Sequence, residues 1–563
     1  MNVAAREWHA RAVRAAQAGD LAGARDALTS GFEAHGNDPH FQNDAANLLL
    51  KMGDASAAAK HFEVAARLMP DNVDIAINHA IALTSAGRVR EALAELARIE
   101  NGAKGRAIYW STQGNAAREA GEAALAERAY TQALALEPRR PKALHGRALI
   151  ALERGNPAAM QWFERALAVN SGDPVLWLGK AQALDVAGDH SAARAIVEAL
   201  IRQTPGWAEG LKFLAQLRSD AGESDFTAHY HDAMTRAPAN PTIARELCAL
   251  LTGLNRDAEA ADVAAEARIS FPNELHFAFL EAIHASAAGQ LDRAETIFGD
   301  LQKDDPERLL HEARHRIRMK APEAADMLLD RLIEVVPSNV AAWALRVVTW
   351  RLLDHPRLYW LIGDSCLSRS MPLDDAATII PEARELLHEL HDRSPFPLGQ
   401  SLRGGTQTRA NLFHRTEPVL AKLHEAIMTT VERYRTSLPP RDDAHPFLQA
   451  RDDNWAMAGS WSVRLQHQAH DRSDYHAAHI HPEGLLSSAL YIEVPETDEV
   501  AQTGWLEIGR PAANLMTDLE PLTSFEPKPG HLALFPSIMY HGTRPFASGR
   551  RMSVAFDIQH SRN

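Results

Sequence analysis

Four residues stand out for their type and spacing. His479 and His481 lie two residues apart in HAAHIHPEG, His541 follows 62 residues later in FPSIMYHG, and Arg551 comes ten residues after that, with Ser553 beside it. A neutral imidazole suits a borderline transition metal, and three protein ligands leave coordination positions open for substrate and oxygen. The planar fork of an arginine meets a carboxylate bidentately, so Arg551 reads as a carboxylate clamp next to a metal site. Residues 396–563 hold eleven histidines. His467, His470, His476, His531 and His560 read as surface or turn residues, and the close pair joined by a distant third is what separates His479, His481 and His541 from them.

The elements that must position these residues are strands. From about residue 455 the apolar period changes from helical to alternating. Candidate strands are 460–466, 487–494, 504–509, 531–537 and 551–558, separated by turn-rich segments such as EPKPG. Many short strands with Gly/Pro turns predict an antiparallel sandwich or barrel. In the last strand Arg551, Ser553, Ala555 and Asp557 share one face, and Met552, Val554, Phe556 and Ile558 the other, so the polar face is expected to line a cavity. Trp461, Arg464 and Tyr491 fall on strands at its mouth, although a strand arginine such as Arg464 is more often a surface ion pair. Upstream, EPVLAKLHEAIMTTVERYRTSL predicts a helix over 417–438 that stops at Pro439-Pro440. Arg403-Gly404-Gly405-Thr406 in QSLRGGTQT is too short for a phosphate loop.

Everything before about residue 355 follows another rhythm. Glycines recur at Gly19, Gly53, Gly87, Gly121, Gly155, Gly188 and Gly222, a step of 34 residues with a single 33, and Gly289 resumes the series. Gly253 or Asn255 lies near the missing position. In phase with them run Pro70, Pro138, Pro205, Pro238, Pro272, Pro306 and Pro337. Between the two markers, Ala58, Phe62 and Ala65, then Ala126, Tyr130 and Ala133, then Ala260, Ala264 and Ala267 occupy one helical face. Glycine turns a first helix into a second, proline stops the second, and small residues let the two approach. The segment IENGAKGRAIYW breaks the rule, with Lys104 where a proline is due.

This pattern resembles the tetratricopeptide repeat over roughly residues 5–355, about ten units. The resemblance implies an all-α superhelix whose concave face binds a peptide or protein. Trp343, Trp350, Tyr359 and Trp360 then read as a cap that buries the last open face and docks the next domain. The expected division is a repeat solenoid over 1–355, a helical cap and linker over 356–395, and a β-rich domain over 396–563.

Composition limits the function classes. Apolar residues make up 46% and charged residues 23%, ordinary for a soluble globular chain. The net charge of −14 argues against nucleic-acid binding, which needs a basic face. Two cysteines, Cys248 and Cys366, make no disulfide framework and fit a reducing compartment. MNVAAREWHARAVRAA has no apolar signal core, and no stretch approaches the ~18 apolar residues of a membrane span. The expectation is a cytoplasmic protein that spans no membrane.

The ordered set HIHPEGLLSSALYI, GWLEIG, PKPGHLALFPSIMYHGTRPF and RRMSVAFDI resembles the iron(II)/2-oxoglutarate-dependent oxygenases. It is most similar to a subgroup often fused to tetratricopeptide repeats, which shares a segment like QSLRGGTQT. The resemblance covers about residues 390–563. It implies an α+β domain built on a double-stranded β-helix, or jelly roll, with Fe(II) at its open end and 2-oxoglutarate as cosubstrate. The wider pattern is His-x-Asp/Glu, a distal His, and an Arg or Lys shortly beyond. Carried over, it makes His479 and His541 metal ligands and Arg551 with Ser553 the holder of the cosubstrate's far carboxylate. His481 stands where a carboxylate is usual. Three completions remain: His481 itself as third ligand, which we favour; a shifted frame using His481 and Glu483; or water.

The implied activity is oxidation, with hydroxylation as the leading outcome, of a peptide or protein recruited by the repeats. Two other readings stand beside it: a repeat adaptor whose jelly roll has lost catalysis, and a cupin-like metalloenzyme that uses three histidines without 2-oxoglutarate.

Overall fold

The computed structural model describes residues 3–301, 305–363, 367–394, 398, 401–466, 475–495, 502–546 and 548–561. Cys366, His467 and His470 lie outside them. The chain folds as two compact units, Met1–Ala183 and Leu184–Asn563.

The first unit is a run of antiparallel helix pairs, such as Pro39–Lys51 with Ala55–Leu68 and Ala107–Glu119 with Ala123–Leu136. Side-chain caps set where helices begin. Asp38 accepts from the amides of His40 and Phe41, Pro39 fills the first turn where no donor is needed, and Asp54 accepts from Ala57 N–H. Each pair turns on a left-handed residue. Gly19, Gly53, Gly87, Gly121 and Gly155 all have φ between 63° and 84°, a region that glycine enters without steric cost. The aromatic at the centre of the Ala/Tyr/Ala face fills the space between successive pairs. Tyr130 is buried so tightly that a Cβ on Gly114 or Gly146 would sit 2.7 or 2.2 Å from its ring.

The second unit opens with more of the same pairs. Gly222 and Gly289 turn two of them, and the missing member of the series is Asn255, left-handed at φ 58°. Asparagine is the residue after glycine best able to tolerate that region. The series then continues through Lys320 at φ 59° and Asp354 at φ 47°, neither of which its residue type announces. Pro306 departs from the proline rule. It sits in the first turn of helix Pro306–Arg318 behind the Asp305 cap, so it starts a helix where the others follow one. Lys104 ends helix Val89–Ala103 in the first unit without a proline.

The β-rich part comprises β1 (Arg369–Pro372), β2 (Leu402–Arg403), β3 (Thr406–Gln407), β4 (Asn454–Gln466), β5 (Tyr475–His476), β6 (Leu486–Glu493), β7 (Leu506–Ile508), β8 (Thr523–Phe525), β9 (His531–Pro536), β10 (His541–Thr543) and β11 (Arg550–Ser561). The large sheet has the order β1-β9-β6-β11-β4-β3, the small sheet β10-β7-β8, and β2 pairs with β5. All pairings are antiparallel. This is the jelly-roll layout. The segment 356–395, read as helical cap and linker, contains helix Ala376–His391 but also supplies β1 to the large sheet.

Alternation along the large sheet sorts its two faces. Met552, Val554, Phe556 and Ile558 join Leu532, Leu534, Leu486 and Leu490 under helices Ala376–His391 and Pro418–Thr436, which contribute Leu387, Leu423 and Ile427. The inner face packs on the small sheet: Tyr491 and Phe535 meet Leu506 and Ile508. Trp343, Val347 and Trp350 of repeat helix Val340–Leu352 belong to that same inner cluster. Trp360 packs on that cluster as well and donates to Asp442 Oδ2 at 2.9 Å, whereas Tyr359 is 66% exposed.

The last repeat helices therefore form part of the core of the β-rich fold. Burying one large apolar side chain stabilises by roughly 1.5–3 kcal/mol, against a whole-domain stability of roughly 5–15 kcal/mol. Losing the two tryptophans and Val347 together costs most of such a margin. A chain starting at residue 396 is expected to lack a cooperative thermal transition by circular dichroism, and one starting at Pro306 to keep it. Equal cooperativity in both would show that the repeat helices are dispensable to the fold.

Candidate metal centre

Two strands bring the three histidines together. His479 and His541 form an isolated antiparallel bridge, with His479 N–H donating to His541 O at 3.0 Å and His541 N–H to His479 O at 2.9 Å. Directly opposed residues in an antiparallel pair project from the same face. His481, two residues along from His479, projects from that face too. The donor nitrogens of the three imidazoles lie within 4.8 Å of one another. Among the described residues no Asp or Glu oxygen joins them, and Glu483 is exposed nearby, its backbone carbonyl accepting from Gln559 Nε2 at 3.1 Å.

Each ring is fixed by what its other nitrogen does. His479 Nδ1 donates to Ala477 O at 2.8 Å, His541 Nδ1 to Met539 O at 3.1 Å, and His481 Nδ1 to Asp557 Oδ1 at 2.5 Å. With all three protons committed to acceptors, the Nε2 lone pairs face the shared space. The Nε2 atoms of His479 and His481 are 3.1 Å apart, a separation that a shared cation would suit. Burial, reinforced by the neighbouring His481, pushes His479 down to about 3, and burial holds His541 well below the usual imidazole range. Neutral imidazoles of this kind suit iron, zinc, copper or nickel. The donor set therefore fits a transition metal.

Asp557 is the residue that spacing alone did not single out. Its Oδ1 accepts from His481 and also from Ser487 Oγ at 3.2 Å, while Ser487 and Ser537 hydroxyls pair at 2.8 Å. Gly484 leaves room for this chain, because a Cβ there would lie 2.7 Å from Ser537 Oγ. The signal was present in the alternation of β11, which puts Asp557 on the face of Arg551 and Ser553. The carboxylate nearest the trio thus stands behind the His481 ring and not among the converging nitrogens.

Arg551 is 2% exposed and lies in the wall of the same pocket, a cavity of about 530 Å³ that the three histidines, Trp461, Val463 and Ser553 also line. Its Nη1 donates to Ser553 Oγ at 3.4 Å, and its guanidinium stands 5.3 Å from the Tyr491 ring centroid. Among the described residues it makes no ion pair with a carboxylate, and its Nε has no partner. Leaving a buried charge uncompensated costs several kcal/mol, a cost that an anion beside Arg551 would offset. Tyr491, pushed up to about 12 by burial, remains a neutral phenol.

The remaining candidates fall elsewhere. Arg464 turns outward and pairs with Asp392 at 2.8 Å. His476 lines the pocket 6.0 Å from His479, ring to ring, outside the converging trio. His560 pairs with Asp453 at 2.8 Å. The segment QSLRGGTQT acquires a place: Ser401 Oγ is 3.3 Å from His479 Nε2, Gln407 lines the pocket, and Gly405, at φ 78°, packs so closely that a Cβ would be 2.2 Å from Arg464 O.

Outer partners of metal-bound histidines typically govern about 10- to 100-fold in metal affinity. Asp557→Ala is expected to weaken Co(II) binding by about that factor in an anaerobic absorbance titration, while Asp557→Asn, which keeps an acceptor oxygen, loses less. Equal affinity for all three proteins would show that Asp557 does not position His481.

Residues 459–557 match the family profile described as "Putative 2OG-Fe(II) oxygenase". Residues 49–115 and 156–217 match one tetratricopeptide repeat profile and 111–174 another. Protein FlbA of Caulobacter vibrioides (strain ATCC 19089 / CIP 103742 / CB 15) is 29% identical over 201 residues, which are 36% of this chain and 32% of that protein. The chain thus spans about a third of that relative's length, 32%. Among solved structures, PilW, described as a widely conserved type IV pilus biogenesis factor, has 18% identity and a TM-score of 0.33 over 36% of this chain and 96% of its own. A tetratricopeptide repeat protein from Parabacteroides merdae ATCC 43184 has 20% identity and a TM-score of 0.34 over 43% and 97%. The chain joins tetratricopeptide repeats to a C-terminal domain of the putative 2OG-Fe(II) oxygenase family.

Proposed function

We propose that this protein is an iron(II)- and 2-oxoglutarate-dependent oxygenase that hydroxylates a peptide or protein substrate recruited by its repeats. The observation that carries the reading is Arg551: a buried guanidinium with no acidic partner among the described residues, in one pocket with three converging imidazoles. Iron(II) with 2-oxoglutarate would supply oxygen activation, coupled to conversion of the cosubstrate to succinate and CO2, and delivery of one oxygen atom to a C–H bond.

The chain's own residues would do the rest. His479, His481 and His541 offer the metal their Nε2 atoms and keep their Nδ1 protons on Ala477 O, Asp557 and Met539 O. Arg551 takes the far carboxylate of the cosubstrate on its fork, with the Ser553 hydroxyl as a second donor. Trp461, Val463 and Leu506 make the pocket wall apolar and exclude water from the reacting atoms. Tetratricopeptide repeats generally mediate protein–protein contacts, which favours a polypeptide substrate.

Among the described residues no helix is long and apolar enough to cross a membrane, and Cys248 is buried with its thiol pushed up to about 12. These fit a cytoplasmic setting. The domain division of repeats to about 355, a connecting segment to 395 and the oxygenase beyond remains our working one, with the reservation that β1 and helix Val340–Leu352 pack into the oxygenase core.

A cupin-like enzyme using three histidines without 2-oxoglutarate is favoured by one observation: among the described residues no carboxylate joins the converging donors. Arg551 separates the two. With Fe(II), ascorbate, 2-oxoglutarate and a proteolytic digest of total cell protein, succinate release is expected above the level of His541→Ala. Arg551→Gln should raise the half-saturating 2-oxoglutarate concentration about 10- to 100-fold, the worth of a charge-assisted hydrogen bond. Succinate no higher than in the His541→Ala control would sink the oxygenase reading.

A further inference from the structure

Two arginines of helix Val340–Leu352 are used in different ways. Arg346 turns back into the repeats, pairing with Asp326 at 3.2 Å and Asp330 at 2.8 Å. Arg351 reaches out of them and directs both prongs of its fork at backbone oxygens of the jelly roll. Its Nη1 donates to Gly509 O and its Nη2 to Glu520 O, each at 2.5 Å. Those two carbonyls lie near the opposite ends of the connection from β7 to β8, so a single side chain ties both ends. Burial, and after it the nearby Arg510, push the Arg351 guanidinium down from the usual arginine range. A partly desolvated charge bonds a carbonyl more strongly than one in water.

Gly509 carries this tie to the metal centre. Its φ of 87° is left-handed, and a Cβ there would sit 2.6 Å from Leu522 Cδ1, so the position needs glycine and inherits its conformational freedom. The Gly509 N–H donates to Tyr540 O at 2.6 Å. That carbonyl belongs to the peptide group joining Tyr540 to His541. The N–H of the same peptide group donates to His479 O at 2.9 Å. A planar peptide held at both ends has its tilt fixed, and with it the direction in which the His541 side chain leaves the strand. The order of contact is therefore Arg351, Gly509, the 540–541 peptide, His541. Every link lies within Leu184–Asn563.

Two other repeat cations hold the same connection at its middle. Arg318 Nε donates to Asn514 O at 2.7 Å and Lys320 Nζ to Met516 O, around the short 3-10 helix Ala513–Leu515 and away from Gly509. They tie the connection without touching the glycine that meets the 540–541 peptide.

We propose that Arg351 is a positioning residue of the metal centre: through Gly509 it sets the peptide that orients His541, so a repeat side chain helps to fix the geometry of an imidazole it does not touch. The proposal rests on the three-histidine metal site and is independent of the cosubstrate.

The test is an anaerobic absorbance titration of the full chain with Co(II), without 2-oxoglutarate. Outer partners of metal-bound histidines govern about 10- to 100-fold in affinity, and Arg351 acts further out, so Arg351→Met is expected to weaken Co(II) about fivefold and to shift its visible band. Arg351→Lys, which keeps the charge and loses the fork, should weaken it about twofold. Lys320→Met removes a tie from the middle of the same connection and is expected to leave affinity and band as in the wild type. Thermal melting by circular dichroism reports how far each substitution disturbs the fold, and Arg351→Lys is read alone where Arg351→Met does not fold.

Wild-type affinity and band in the folded Arg351 variants would overturn the proposal. So would equal weakening by Lys320→Met, which would mark a general loosening of the connection. Arg351 variants that weaken Co(II) in a protein that releases no succinate leave the proposal standing and refute the oxygenase reading alone. A wild-type chain that binds no Co(II) refutes the metal centre and this proposal together.

Discussion

The bridge between His479 and His541 is the constraint from which the rest follows. Because the two strands alternate, one face of the bridge carries three imidazoles and the other carries Ile480 and Tyr540. Those two side chains pack against Leu309, Ala313, Ile317 and Leu345 of the repeat helices. The metal-facing geometry is thus pinned from behind by the last repeats. A shift of one residue in either strand would exchange the two faces, putting imidazoles into an apolar core and apolar groups over the metal. The register has no slack.

Electrostatics gives the pocket a second constraint. Burial keeps the His479 and His541 imidazoles neutral, and the carboxylate of Asp557 lines the same pocket as the guanidinium of Arg551. A divalent metal in that setting leaves a surplus of two positive charges, which a dicarboxylate cosubstrate would neutralise. The usual arrangement puts one negative charge directly on the metal. Here the nearest carboxylate, that of Asp557, lies on the far side of the His481 ring.

Much of this was readable in advance, and the reasons differ by element. The 34-residue glycine period was legible because a left-handed turn tolerates few residue types. Where the chain used Asn255, Lys320 or Asp354 instead, the marker faded although the turn persisted. The histidine trio and the polar face of β11 were legible because strand alternation is strict. Asp557 sat on that face in plain view, but a carboxylate on a strand does not say which side chain it will meet. Two- and three-residue strands such as β2, β3, β5, β8 and β10 carry too few side chains to show a period. β1 was hidden by the helical pattern that follows it. Pro306 kept the spacing of the series while changing its role, since proline fits the first turn of a helix as readily as the loop after one.

The turn at Lys320 has a meaning beyond its place in the series. A left-handed conformation costs a non-glycine residue roughly 1–2 kcal/mol, so glycine would be the cheaper choice. What the lysine side chain gains is a partner: its Nζ donates to Met516 O, and the preceding helix sends Arg318 Nε to Asn514 O at 2.7 Å. The repeat unit here has given up interchangeability for attachment, in the manner of a graft union between rootstock and scion. Earlier pairs are attached too, since Asp185 meets Arg409 at 2.6 Å, so the turn at Lys320 is one of several ties. The unit that contains it must be inherited together with the jelly roll.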